Sequence, residues 1–524
     1  MCIRDRYASS APQAKRAQMV ADVLLGKYPK KALLEGITKR HLKENVRLLG
    51  LMPLAKGTAQ QRDLKNRYEA LQDYKKYASN LSSMSRPEAM RSVEIGFQNL
   101  ASTAGYPDPF RLQWALEAEA TKDLADGPVS VKQADITVTL TLDDQALPVL
   151  TIHRDDKKLK ALPRTAAKDK KISALVERHK LAKQQAVRIK HSLEELMCQC
   201  DQITGSELNQ LADHALLWPQ LQRLVLVSER GLGFPCRKGK ALKDHGGSVT
   251  TVRKDDVLRI SHPYDLLKNK DWPKWQRYCF DKKIHQPFKQ VFRELYPITP
   301  QEKKDKDHSN RYAGYQVNRN QAFALWGTRG WSLDESDNIW KVIYHEEINV
   351  EVEIDHGYDT PLRVEGLTLD KIRFVKHGTY KSSKLTDVSA VLFSEVMRDI
   401  DLIVSVAHVG EVDPEASAST IEMRTTLLKE TCQLLKIKNV SFKTDRAIIK
   451  GELAEYSIHL GSGVVHKLPG GAVCLVPVHS QHRGRLFLPF ADDDPRTAEV
   501  ISKCLTLARD KEIDDPGLIR QILR

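Results

Sequence analysis

YSIHLGSGVVHKLPGGAVCLVPVHSQHRGRLFLPFADDDPRTAEVISKCLTLARDKEIDDP (Tyr456–Pro516) decides how this chain closes its fold. Its first half alternates apolar and polar residues in strand rhythm, broken by Gly461-Ser462-Gly463 and Pro469-Gly470-Gly471, both turn formers. Its second half, from Pro495 to Asp510, repeats apolar residues at helical spacing. The spacing predicts strands over 446–450, 455–460, 464–468, 472–478 and 485–489, and then a sealing helix. The stretch also holds His459, His466, His479, His482, Arg483 and Arg485. Histidines shuttle protons near neutral pH, and arginines clamp carboxylates or phosphates. His459, His466, Arg483 and Arg485 are therefore candidates, the histidines as catalytic groups and the arginines as ligand-binding ones.

Upstream of 440 the patterns are mixed. Thr420–Leu435 and Val388–Asp401 read as helices, and 340–354 and 367–375 as strands. In QPFKQVFRELY (Gln286–Tyr296), Phe288, Val291, Phe292 and Leu295 fall at i, i+3, i+4 and i+7, which predicts a helix with Pro287 in its first turn. Lys289, Gln290, Arg293 and Glu294 then share its polar face. Gly231–Gly247 reads as a loop and a boundary. Lys168–Cys200 predicts a long helix with one buried face, preceded by a β-hairpin over 129–153. From Lys15 to Ala125 the pattern is helical, with a stop at Gly105.

The expected architecture is α+β multidomain: an α-helical N-terminal half with an inserted hairpin, then mixed α+β domains ending in a small sheet sealed by a C-terminal helix. The expected divisions are 7–250, 251–412 and 413–524. Met1–Arg6 resembles a translated sequencing adapter, so the chain is expected to be the C-terminal part of something longer.

Composition bounds the function. The 524 residues are 41% hydrophobic and 29% charged, as in globular proteins, and no apolar run is long enough to span a bilayer. Eight scattered cysteines form no disulfide framework, which fits a reducing cytoplasm. Cys198 and Cys200 lack a second pair at zinc spacing, so no metal or cofactor is expected. Net charge is +14. Between Arg154 and Lys190 stand 13 Lys/Arg against 4 Asp/Glu. Lys170, Lys171, Lys180 and Lys183 are the nucleic-acid-binding candidates there.

Standard catalytic signatures fail. GFPCRKGK (Gly233–Lys240) has five residues between its glycines and Ala241 where a phosphate loop needs Ser or Thr. Glu395 and Asp399 lie i, i+4 on one helix and offer paired carboxylates for acid–base work or a cation. Arg293 and Arg398 are candidate ligand-binding residues. His262, Arg293, Arg398 and His459 are far apart in sequence, so their convergence would mark a centre.

Several segments together resemble one bacterial family: NLASTAGYPDPFRLQWALE (99–117), RISHPYDLL with WPKWQ (259–276), QPFKQVFRELY, LFSEVMRDIDL (392–402) and HLGSG…LPGGAVCLVP…LFLPF. This is similar to the domain of unknown function 4132 family, which includes molybdate-regulator-like proteins, over about Leu64 to the C-terminus. The resemblance implies no mechanism. It implies protein partners, AAA+ ATPases or von Willebrand A-type proteins among them. The function expected is a cytoplasmic scaffold or regulatory protein. Nucleic-acid association through the basic helix, or an enzyme using the His/Arg or paired-carboxylate groups, are the alternatives.

Overall fold

The computed structural model describes residues 11–82, 85–143, 145, 147–155, 157–333, 339–355, 366–379, 381–407, 418–468, 472–473, 495–513 and 516–523. The fold is α+β and falls into two compact units: 1–121 with 330–336, and 122–329 with 337–524. No helix among the described residues is long and apolar enough to cross a membrane.

The first unit is helical. The Lys43–Leu49 and Arg86–Ala104 helices cross at glycine. A Cβ on Gly50 would stand 2.4 Å from the Gly96 carbonyl, and one on Gly96 would stand 2.7 Å from the Val46 carbonyl. This close approach lets Val46, Leu49, Leu71, Val93 and Leu100 form one core. Gly105, at φ +80°, ends the Arg86–Ala104 helix as the sequence predicts.

The second unit begins with a sheet that differs from the expected hairpin. Val129–Leu142 is two strands, Val129–Gln133 and Ile136–Leu142, because the chain reverses at Ala134, which takes φ +52°. Pro148–Arg154 and the edge strand Lys157–Lys158 complete a four-stranded antiparallel meander. Ile136, Val138 and Leu140 on its inner face meet Ile172 and Leu175 of the Lys170–Gln199 helix. That helix has 30 residues and starts at Asp169, whose carboxylate accepts the Lys171 and Ile172 amides.

Gly231–Gly247, expected as a loop, is mostly sheet. Gly231–Cys236 and Ala241–Lys243 form a hairpin inside a six-stranded sheet. Its turn runs through Arg237 and Lys238 at positive φ, so the phosphate-loop-like stretch is a hairpin. Downstream, Ile339–Ile343, Ile348–Asp355 and Gly366–Lys376 pair antiparallel. The closing sheet orders Val440–Phe442, Arg446–Lys450, Glu455–His459, Val465–Leu468 and Ala472–Val473 in sequence. The Ala418–Leu434 and Pro495–Ala508 helices supply Leu427, Leu428, Val500 and Leu507 to a core shared with Tyr456 and Ile458. Gly461–Gly463 is the tight turn expected, with Gly463 at φ +75° and its amide on the His459 carbonyl.

The largest departure is at 286–296, which is not a helix. Phe288, Val291, Phe292, Lys289, Gln290 and Arg293 are all buried, so apolar and polar positions alike face the interior. Glutamine side chains pin the segment to neighbouring backbone instead. Gln290 accepts the Val225 amide at 2.8 Å and donates to the Val225 and Ser261 carbonyls, both at 2.8 Å. Gln286 accepts the Val291 amide at 3.1 Å and donates to the Arg223 carbonyl. Helical spacing of Phe and Val cannot distinguish these two outcomes, because both bury the same residues.

Candidate functional site

Three elements deliver charge to one place: the C-terminal end of the Lys170–Gln199 helix, the irregular 286–296 segment, and the Ala390–Ala407 helix. A fourth contribution is His262, which caps the short Pro263–Lys268 helix. Its ring accepts the Tyr264 amide, while Asp265 accepts the His262 amide in return. Arg259 grips Asp265 with two bonds of 2.6 and 2.5 Å, which fixes the cap.

Arg293 is the centre and is only 3% exposed. Its Nε and Nη2 donate to the two oxygens of Glu395 at 2.7 and 2.6 Å. Nη1 donates to Glu194 at 2.7 Å and to the Lys289 carbonyl at 3.3 Å, and Nη2 also reaches Cys198 Sγ at 3.4 Å. A guanidinium has five N–H donors, and all five have acceptors. Glu395 is equally saturated. Oε1 also takes His262 Nε2 at 3.1 Å, and Oε2 also takes the Cys198 thiol at 3.4 Å. Because His262 Nδ1 accepts an amide, Nε2 carries the proton given to Glu395.

A second pair lies alongside. Glu294 accepts Lys289 Nζ at 3.1 Å and Arg398 Nε at 3.0 Å. Burial alone would raise the Glu395 carboxyl, but the Arg293 charge and hydrogen bonds, with that of His262, hold it well below the usual range. Glu294 is likewise held far down by Lys289 and Arg398 against burial. Burial pushes the Cys198 thiol well up, and the Glu395 carboxylate pushes it further, so it is no thiolate nucleophile. At its centre the cluster is closed: Arg293 and Glu395 are committed to each other and to neighbouring protein groups. Glu194 and Arg398 reach its outer side, with side chains 26% and 22% exposed.

The structure therefore brings together three of the four distant positions, His262, Arg293 and Arg398, and adds Glu395. His459 stands elsewhere, bonded to Ser462 Oγ at 2.9 Å and 3.5 Å from Asp445. His466 pairs with Ser457, so His459 and His466 occupy diagonal positions on one face of the closing sheet. Arg483 and Arg485 lie outside the described residues, as do His479 and His482. Glu395 and Asp399 have separate partners: Asp399 pairs with Arg329 and Lys341 at 3.2 and 3.0 Å. Among the described residues no group of three His, Cys, Asp or Glu is arranged to hold a metal. A pocket of about 400 Å³ lies in the helical unit, lined by Lys30, Met52, Pro53, Arg62 and Asn66 among others.

Sequence reasoning missed Glu194 and Cys198. Both lie on the Lys170–Gln199 helix at i, i+4, and that spacing was the available signal. Lys170, Lys171, Lys180 and Lys183 are all exposed at its other end and middle.

With this geometry in view, the family comparisons divide the chain. Residues 157–331 match a domain of unknown function (DUF4132). Residues 5–116 match a family of unknown function (DUF5724), and 421–522 match another domain of unknown function (DUF7737). The resemblance expected under one family from Leu64 onward thus falls under three: the 259–276 and 286–296 segments lie in the DUF4132 match, most of 99–117 in the DUF5724 match, and the closing segment in the DUF7737 match. Glu194, Cys198, His262 and Arg293 belong to the DUF4132 stretch, whereas Glu395 and Arg398 lie between matches. No curated protein and no solved structure matches the chain.

Proposed function

We propose that the chain is a scaffold or regulatory interaction protein whose rigid centre is the Arg293–Glu395 cluster. The observation that carries this is saturation: every donor of Arg293 and both oxygens of Glu395 are spent on protein groups. Such a cluster fixes which surfaces the surrounding helices present, which is the use of buried ion networks with the best physical rationale. The partners that the family resemblance suggests, AAA+ ATPases or von Willebrand A-type proteins, are the first to test. A cytoplasmic setting goes with this, as six described cysteines are free thiols. So does a regulatory role of the molybdate-regulator-like kind.

The test is reconstitution. The purified chain and a partner captured from the native host should co-elute at fixed stoichiometry, with a Kd in the micromolar range or tighter. Failure of every captured candidate to reassemble from pure components would sink the proposal.

A second reading, association with nucleic acid, is favoured by the exposure of Lys170, Lys171, Lys180 and Lys183 on one helix. Salt-sensitive binding of duplex DNA that is lost on reversing these charges would support it.

A further inference from the structure

Residues 157–171 join the meander sheet to the start of the Lys170–Gln199 helix as a strap. Leu159, Leu162 and Ala166 turn inward onto the cluster of Ile136, Val138, Leu140, Ile172 and Leu175. Between them Lys157, Lys158, Lys160, Arg164, Lys168, Lys170 and Lys171 are all exposed. Lys157 and Lys158 sit on the sheet's edge strand, opposite Arg154 and His153. The stretch has one carboxylate, Asp169, and the amides of Lys171 and Ile172 occupy it. Among the described residues none of the seven cations forms an ion pair.

Two cations further along the helix differ. Lys180 lies 3.9 Å from Glu177, and Arg178 grips Asp123 with both Nη atoms. Lys170 and Lys171 also sit in the first helical turn, which has no acidic residue. That is the reverse of what stabilises a helix, since the dipole already places positive charge there. Apart from the Asp169 cap, the strap thus concentrates positive charge that no ion pair among the described residues uses.

The geometry points to the strap's outer side (Lys157, Lys158, Lys160, Arg164, Lys168, Lys170 and Lys171) as the docking surface for a phosphodiester backbone, rather than the helix's outer face at Lys180 and Lys183. A protein partner would need an apolar centre to its interface, and the strap's apolar side chains are turned into the core. A row of phosphates needs only cations. The inference rests on the nucleic-acid reading above and names the part of the segment that carries it.

The test uses the full 524-residue chain and a fluorescein-labelled 30-base-pair duplex DNA, by anisotropy from about 50 to 300 mM salt. The variant K157E/K158E/K160E/R164E should bind at least tenfold more weakly at about 100 mM salt. Its slope of log affinity against log salt should flatten by about 3–4, one phosphate contact per lost cation. K180E/K183E should stay within threefold of the parent. If the reversed strap fails to fold by circular dichroism, the four-glutamine variant replaces it and should weaken binding by the same slope criterion. An unchanged strap variant beside a weakened K180E/K183E overturns the strap and leaves the nucleic-acid reading standing. A parent that binds no duplex at about 50 mM salt, or that binds only phosphatidylserine vesicles, ends both.

Discussion

Replacing Arg293 with alanine is the most informative perturbation of the buried cluster. It removes five hydrogen bonds, three of them to the carboxylates of Glu395 and Glu194. Glu395 would keep His262 and Cys198 but lose its cation while its side chain is only 16% exposed. Removing one partner of a buried pair costs about 3–5 kcal/mol, because the remaining charge is left without compensation. Partial exposure of Glu395 lets water enter and favours the lower end. Cys198 is a built-in reporter, since its half-buried thiol touches both partners in the folded state. Pulsed thiol alkylation across a urea series, read by mass spectrometry, gives the midpoint of opening at this position. With a urea slope of about 3 kcal/mol/M the midpoint should fall by about 1–2 M. Arg293→Lys should recover less than half of the loss, because an ammonium cannot form the two-toothed bond to Glu395. The double variant R293A/E395A should cost about 2–3 kcal/mol less than the sum of the singles, the coupling expected of residues in one network. A midpoint shift under about 0.3 M for R293A would refute the reasoning, as would strict additivity.

Three further outcomes follow from the same contacts. Glu395 and Glu294 are held below the usual glutamate value of 4.5 in the folded chain, so their stabilising contribution is complete above that value and drains away as pH falls below it; acid titration of the urea midpoint should show this loss, and R293A should flatten it. Gln290→Leu strips partners from the Val225 amide and from two carbonyls and should cost about 2–4 kcal/mol by the same labelling assay. Cys198 should alkylate in the native parent at least tenfold more slowly than Cys236, which is likewise half-buried, near pH 8, given its raised thiol, and the difference should shrink in R293A.

Much of the fold is legible in the sequence because period and punctuation agree. Asp169 before an apolar-periodic run, Gly105 after one, and the Gly461–Gly463 turn all give local chemistry one solution. The 286–296 segment is not legible, because the Gln286 and Gln290 side chains anchor it to the backbone of residues 223, 225 and 261, and nothing local signals a bond across 65 positions. The Val129–Leu142 strand pair fails for a smaller reason: Ala134 takes a positive φ without glycine or asparagine to advertise it. In the cluster, His262, Arg293 and Arg398 were visible as a set worth testing for convergence. Glu395 was visible too, but with the wrong companion, since i, i+4 spacing pairs it with Asp399 whereas the fold turns it to Arg293. Glu194 and Cys198 became meaningful only once the helix end was packed on that segment.

Native-state hydrogen exchange over 286–296 tests the central claim most directly. The segment has no regular secondary structure, yet its Val291, Arg293 and Tyr296 amides are bonded, to the Gln286 side chain, the Gln290 carbonyl and Ser394 Oγ. If the charge cluster locks it between the Lys170–Gln199 and Ala390–Ala407 helices, these amides should exchange as slowly as the core of those helices, and R293A should release them by at least a hundredfold. Exchange of 286–296 within seconds in the parent chain, at the rate of an open loop, would contradict the account.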